Sequence, residues 1–434
     1  MGLTSQKLNI CTGCTLSAYY TESFKSDILK LSIVAPSDND ERNTALFGLM
    51  INLLRGGSEK YPEKSDIIRR LNDLYDSTCS IGGFASGDNK ILEISAEMLN
   101  DNFTSGENIF EGICDLMYQM LYCPKLDKNG LFPKDKVERE KKVVLDRIKS
   151  EKNHSRSYAF KRCREIICEN EPYGMSMKRE QVIAITPKEL TEYYKNFIEN
   201  QNLRFSYVGR RPANEVAELL KKYYNGTTLG TKTDILPLTA KCERELSSFE
   251  EELDIKQSVL VIGMTTDILL DGEDAHIIPV FNTLYGGTYT SRLFRTVREK
   301  MSLCYEISSD YVTTKGLMFV SCGIDAGKRD EAQKAILDEL YRLQNEKISD
   351  EELEITKKLT LKEYYDMLDF PNAIATFYIG REVYGSNMSI GELIKKVEGV
   401  TAEEIQAVAK KIKPHTVFFL RGTLADSEEG ECDE

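Results

Sequence analysis

Histidine is nearly absent from this 434-residue sequence, which carries only His154, His276 and His415. They lie far apart, and none has a second histidine at helical spacing. A catalytic zinc ordinarily takes three protein ligands plus a water, so no local motif for one is present. A Gly-x-Ser-x-Gly elbow, a Walker loop and a dinucleotide fingerprint are missing too, and no self-sufficient active site or cofactor site emerges. No block of basic residues occurs, and 57 Lys+Arg against 70 Asp+Glu leave a net charge of −13. Such a chain repels phosphate backbones and anionic lipid, so a nucleic-acid partner is not expected. No uninterrupted run of about 18 apolar residues is available for a membrane span. The segment Met1–Lys7 lacks a charged region followed by a long apolar stretch, so no signal peptide is expected. A cytoplasmic protein without a membrane partner is the expectation. Disulfides are not expected either: the eleven cysteines are odd in number and scattered, as reduced thiols are. Cys11 and Cys14 make a single C-x-x-C with no second pair at zinc-ribbon spacing, and read as buried or bystander thiols.

What is present is an ordinary globular mixture, 41% hydrophobic and 29% charged, long enough for two or more domains. The chain also reads as written twice. Thr186-Pro187-Lys188-Glu189-Leu190 opens an amphipathic helix that leads to the apolar run Leu203–Arg210. Thr401-Ala402-Glu403-Glu404-Ile405 leads in the same way to Thr416–Gly422. Thr186 and Thr401 suit helix N-caps with acidic residues in the first turn. Both apolar runs read as buried strands closing at Gly209 and Gly422. Upstream, Asn52-Leu53-Leu54-Arg55-Gly56-Gly57 is echoed by Asn282-Thr283-Leu284-Tyr285-Gly286-Gly287. Strands are expected at 28–34, 91–96, 258–264 and 317–321, with Leu46, Leu49, Met50, Leu53 and Leu54 forming a helical stripe between the first two. Runs of strands and runs of helices, without strict alternation, argue for α+β. The expected plan is two homologous halves, each an antiparallel sheet packed by helices. They would cover 1–225 and 246–434, joined by a polar linker at 226–245, with an acidic tail at 425–434.

Five stretches give this plan a family resemblance. The first is Leu53–Pro62, the second Ile81–Ser86, and the third Glu138–Leu145. The fourth is Ser291-Arg292-Leu293-Phe294-Arg295-Thr296-Val297-Arg298-Glu299-Lys300 running on to Leu303-Cys304-Tyr305, and the two helix–strand phrases complete the set. Together they resemble the pitrilysin/insulinase family of zinc peptidases, whose members are built from repeated α+β halves. The resemblance implies an inverted motif, His-x-x-Glu-His, in which two imidazoles one helical turn apart bind zinc and the Glu activates water. Register from Arg55-Gly56-Gly57 puts those positions on Phe47-Gly48-Leu49-Met50-Ile51. Glu140 matches the supporting acid, and the third ligand's position falls on Arg147, beside Asp146. Phe47, Met50, Ile51 and Arg147 are therefore degenerate metal-site positions, and no metal or other cofactor is expected.

The second-half signature is intact. Family members place an Arg and, seven residues on, a Tyr here, both reaching the zinc site of the facing half; Arg298 and Tyr305 keep that spacing. A guanidinium and a phenol suit an oxygen that gains negative charge. The resemblance thus implies an inactive subunit of a bacterial heterodimeric peptidase, lining a peptide chamber. Its partner would be a homologue bearing the intact His-x-x-Glu-His. Phe24-Lys25-Ser26-Asp27 further resembles the metal-less member associated with 5-aminopentanol modification of elongation factor P. Two other readings remain open: a stand-alone module that captures extended peptides by strand addition, and an unrelated enzyme using Arg298, Tyr305 and carboxylates.

Overall fold

In the computed structural model, residues 3–106, 108–199, 202–225, 235–241 and 245–424 are described. Most of the expected linker at 226–245 and all of the acidic tail at 425–434 lie outside the described residues. The first sheet contains β1 (Thr4–Cys11), β2 (Cys14–Tyr20), β3 (Ser26–Pro36), β4 (Thr78–Ser86), β5 (Asn89–Leu99) and β6 (Leu203–Gly209). The second contains β7 (Ser247–Leu253), β8 (Ser258–Thr265), β9 (Cys304–Val312), β10 (Leu317–Ile324) and β11 (Lys413–Gly422). Their orders are β1-β2-β6-β3-β5-β4 and β7-β11-β8-β10-β9. Without β1, the two orders are the same. The pairing senses agree as well: β2–β6 and β7–β11 are parallel, and every other pair is antiparallel. The chain is α+β, built from two homologous sheets packed by helices.

The two caps read from the sequence are formed. Thr186 Oγ1 accepts from the Glu189 amide at 3.2 Å, ahead of the helix Pro187–Glu199. Thr401 Oγ1 accepts from the Glu404 amide at 3.3 Å, and the Glu404 carboxylate returns the favour to the Thr401 amide at 2.9 Å. Each such cap satisfies orphan amides of the first turn and contributes about 1 kcal/mol.

Two compact units divide the chain, and neither is contiguous. The first comprises 1–148, 175–237 and 365–387; the second comprises 149–174, 238–364 and 388–434. The helix Pro371–Glu382 therefore belongs with the first sheet. Glu382 accepts from Ser17 Oγ at 2.8 Å and Tyr19 Oη at 3.0 Å, and Tyr378 stacks on Tyr19 with centroids 4.1 Å apart. The helix Ser155–Ile167 belongs with the second sheet. Ala159, Cys163 and Ile167 pack there against Val259, Val261, Phe319, Phe418 and Leu420. This helix covers one face of β8, a strand buried from Ser258 to Thr265, and a strand covered on both faces does not alternate. Among the described residues no helix is long and apolar enough to cross a membrane.

Candidate functional site

The helix Glu41–Arg55 carries the positions implied for metal binding. Asp40 caps it by accepting from the Arg42 amide at 2.7 Å. Its stripe is buried throughout: Phe47 is 8% exposed, Met50 0% and Ile51 4%. Phe47 leans on Phe197 with centroids 5.5 Å apart. Gly83 of β4 sits directly beneath, where a Cβ would come within 2.1 Å of Ile51 Cδ1 and 2.8 Å of Phe47 Cε1. Strand and helix thus meet through an aromatic ring and a sec-butyl group filling the space above a glycine.

Arg147 lies on the helix Lys134–Ser150. Burial lowers the basicity of the Arg55 guanidinium, and the positive charge of Arg147 adds to that effect, which puts the two cations near each other. Arg55 Nε donates to the Ile81 carbonyl, holding the end of the helix to β4. A zinc ion needs imidazole, thiolate or carboxylate donors. Phenyl and sec-butyl groups have none, a thioether is a soft and weak one, and a guanidinium stays protonated. These residues do not fit the metal. Among the described residues no group of three or more His, Cys, Asp and Glu side chains comes together to hold one elsewhere.

Arg298 and Tyr305 belong to the second unit. Arg298 lies in the wide-turn helix Phe294–Lys300, whose π-type winding is a frequent mark of functional positions. Its neighbours are tied down: Arg292 donates to both Glu352 oxygens at 2.9 and 2.7 Å, and Arg295 donates to the same carboxylate at 2.9 Å. Burial would raise the Glu352 carboxyl, but the bonds and charges of the two arginines outweigh it and hold it below the usual range. Arg298 instead lies over the Phe294 ring, 4.5 Å from its centroid. Such a contact supports a cation by about 0.5–1 kcal/mol at an exposed site without neutralising it. Among the described residues Arg298 has no carboxylate partner.

Tyr305 follows a tight reversal in which Ser302 adopts φ of 50°, a left-handed conformation uncommon outside glycine. Leu303 closes this reversal by donating to the Val297 carbonyl at 3.0 Å. In the β9–β10 ladder Cys304 faces Ile324 while Glu306 faces Gly323, so Tyr305 is the extra residue of a β-bulge. A bulge re-aims the side chain it carries, and Tyr305 is 70% exposed on this edge strand. Burial pushes the neighbouring Cys304 thiol up to about 11, with the Arg298 charge pulling against it. Arg298 and Tyr305 therefore share one corner of the unit, where the helix enters β9. The Phe294 support was accessible from the sequence as an aromatic one turn before the arginine. Glu352 was not, because it comes from a distant helix, Asp350–Met367.

The remaining candidates are structural. His276 Nδ1 lies 2.9 Å from the Glu273 carbonyl, and His415 is buried with Nδ1 at 2.8 Å from Thr416 Oγ1. In the Phe24–Asp27 stretch, the Phe24 carbonyl accepts from Arg210 Nε at 2.6 Å. Asp27 is fully buried and accepts from Asn100 at 2.8 Å and the Arg210 amide at 3.2 Å.

Comparison with known proteins gives this chain a set of relatives. Residues 184–360 match the model described as the peptidase M16 inactive domain. The probable inactive metalloprotease YmfF of Bacillus subtilis is 27% identical over 414 residues, covering 95% of this chain and 96% of that one. An uncharacterized zinc protease of the same organism, YmxG, is 20% identical over 303 residues, with 69% and 71% covered. The crystal structure of a conserved protein from Enterococcus faecalis superposes with a TM-score of 0.85 at 25% identity, covering 96% of this chain and 98% of that one. A peptidase M16 inactive domain from Pseudomonas fluorescens shares the fold, with a TM-score of 0.80 at 17% identity over 98% and 99%. Over nearly its whole length the chain is thus similar to a probable inactive metalloprotease, and its residues 184–360 match the peptidase M16 inactive domain.

Proposed function

We propose that this chain is the non-catalytic subunit of a two-chain metallopeptidase. In this reading it walls a peptide chamber and offers Arg298 and Tyr305 to the zinc site of a homologous partner that carries His-x-x-Glu-His. The observation that carries the proposal is the contrast among three neighbouring arginines. Arg292 and Arg295 are held by Glu352, whereas Arg298 lies over Phe294 without a carboxylate partner among the described residues, and the bulge that follows displays Tyr305. A chain that has lost every implied zinc donor yet keeps an uncommitted cation and phenol has the parts of a helper. There, a guanidinium and a hydroxyl would donate to the scissile carbonyl oxygen as it gains charge. The partner's zinc would supply the Lewis acid and the activated water.

Co-expression with an M16 homologue from the same genome that bears the intact motif, followed by size exclusion, tests the pairing. A complex near twice the 49.4 kDa of this chain is expected, with peptide hydrolysis only in the complex. A homologue that elutes apart and cleaves peptides unaided would end the subunit reading and leave a stand-alone peptide-binding module. A role in elongation factor P modification is the narrower form of the proposal. It rests on the resemblance at Phe24–Asp27 and is tested by loss of that modification on deletion of the gene.

A further inference from the structure

Cys11 and Cys14 close the β1–β2 hairpin from opposite strands. Pairing runs from Thr4 opposite Tyr20 to Asn9 opposite Thr15, slips by one residue at Ile10, and resumes with Cys11 opposite Cys14. Without that slip Cys11 would face Gly13, and Cys14 would face Ile10. The bulge at Ile10 is what sets one cysteine against the other. Thr12 and Gly13 form the turn, with Gly13 at φ of 74°, which glycine adopts without strain. Directly opposed residues of an antiparallel pair have Cα atoms about 4.5–5.5 Å apart, within the roughly 4.4–6.8 Å that a disulfide spans.

The two thiols are near enough for Cys11 to help push the Cys14 thiol up, and neither is in a disulfide. They differ in access. Cys14 is fully buried, and burial with Cys11 beside it pushes its thiol far above the usual range. Cys11 is half-buried, and its thiol donates to the Tyr224 carbonyl at 3.7 Å. A reagent from solution therefore meets Cys11 first, and Cys14 stands behind it.

We propose that Cys11 and Cys14 are a reversible redox pair that hydroperoxides convert to a cross-strand disulfide. With hydrogen peroxide, the O–O bond breaks as an S–O bond forms on Cys11, giving a sulfenic acid and one water. The Cys14 sulfur then attacks the Cys11 sulfur; the S–S bond forms, the S–O bond breaks, and the oxygen leaves as a second water with the Cys14 proton. Two thiols and one peroxide give one disulfide and two waters. Oxidation also ends the donation from Cys11 to the Tyr224 carbonyl. The pair is independent of the subunit reading.

Trypsin places both residues on one peptide, Leu8–Lys25. The reduced full-length chain is treated with hydrogen peroxide, blocked with N-ethylmaleimide, digested without reductant and analysed by mass spectrometry. The expected product is this peptide without maleimide and about 2 Da lighter than its reduced form, with both labels restored by dithiothreitol. In Cys14→Ser the sulfenic acid has no resolving thiol, so dimedone labelling of Cys11 should rise by about tenfold or more over the wild type. Two outcomes would overturn the proposal: wild-type peptide that carries both maleimide labels after peroxide, or dimedone labelling as strong in the wild type as in Cys14→Ser.

Discussion

One added carbon probes the packing that occupies the implied metal positions. A Cβ on Gly83 would stand 2.1 Å from Ile51 Cδ1, 2.8 Å from Phe47 Cε1 and 3.2 Å from Phe47 Cζ. Neither side chain can retreat into solvent, since Ile51 is 4% and Phe47 8% exposed. Gly83 is not among the residues with positive φ. Alanine therefore brings no backbone strain and, with space to spare, would stabilise by roughly 0.4–1 kcal/mol through the unfolded chain. Overpacking should reverse that sign: Gly83→Ala is expected to destabilise by about 1–3 kcal/mol. Ile51→Val removes the atom at 2.1 Å and alone should cost about 0.5–1.5 kcal/mol. If the clash with Cδ1 is the cause, the double variant should be more stable than the sum of the single effects by at least about 0.5 kcal/mol. Urea unfolding followed by far-ultraviolet circular dichroism gives all four corners of the cycle. Effects that simply add, or a Gly83→Ala protein as stable as the wild type, would refute the account of helix Glu41–Arg55 wedged onto β4.

In the reconstituted two-chain complex, Arg298→Ala should lower kcat by about 10²–10³ while assembly is unchanged on size exclusion. Tyr305→Phe keeps the ring of an exposed residue, so a fall in kcat without a change in melting temperature would report its hydroxyl; near wild-type turnover in both variants would reduce the corner to a wall. The purified chain dialysed against trace zinc should hold far less than one zinc per molecule by elemental analysis, because Phe47, Met50, Ile51 and Arg147 present no suitable donor set. The Glu352 carboxyl is held below its ordinary value in the folded chain, so its contribution is present above the unfolded pKa and is lost as pH falls through the folded one. Thermal melts taken from neutral pH to below 4.5 should therefore show a loss of stability that Glu352→Gln lacks; parallel curves for the two proteins would contradict it.

The repeat was readable because both copies keep local chemistry. Thr186 and Thr401 cap equivalent helices, and the apolar runs that follow become β6 and β11, the strands paired in parallel with β2 and β7. β1 and β7 were hidden for the opposite reason. Most of their side chains are exposed, so neither carries an apolar period to detect. The Cys11–Cys14 pairing was equally invisible, since it depends on a one-residue slip at Ile10 that only the ladder reveals. At the candidate corner, the spacing of Arg298 and Tyr305 is in the sequence. The bulge that turns Tyr305 outward and the Glu352 carboxylate that occupies Arg292 and Arg295 are products of tertiary pairing.

The exchanged segments show most clearly why pattern alone stops short of architecture. An amphipathic helix states that it has an apolar face, not which surface that face covers. Ala159, Cys163 and Ile167 would satisfy any apolar sheet, and their position before the polar stretch assigns them by proximity to the first half. What sends them to the second unit is demand. β8, β10 and β11 present Val259, Val261, Phe319, Phe418 and Leu420 on one face, and covering a single such side chain contributes roughly 1.5–3 kcal/mol. The first sheet makes the converse demand, with the polar Ser17 and Tyr19 hydroxyls directed at the helix that covers them, and Glu382 of Pro371–Glu382 accepts from both. An apolar face takes an apolar helix and a polar face takes a carboxylate. Apart from β1 the two sheets share one strand order, yet the chemistry of their covered faces distinguishes the segment each receives.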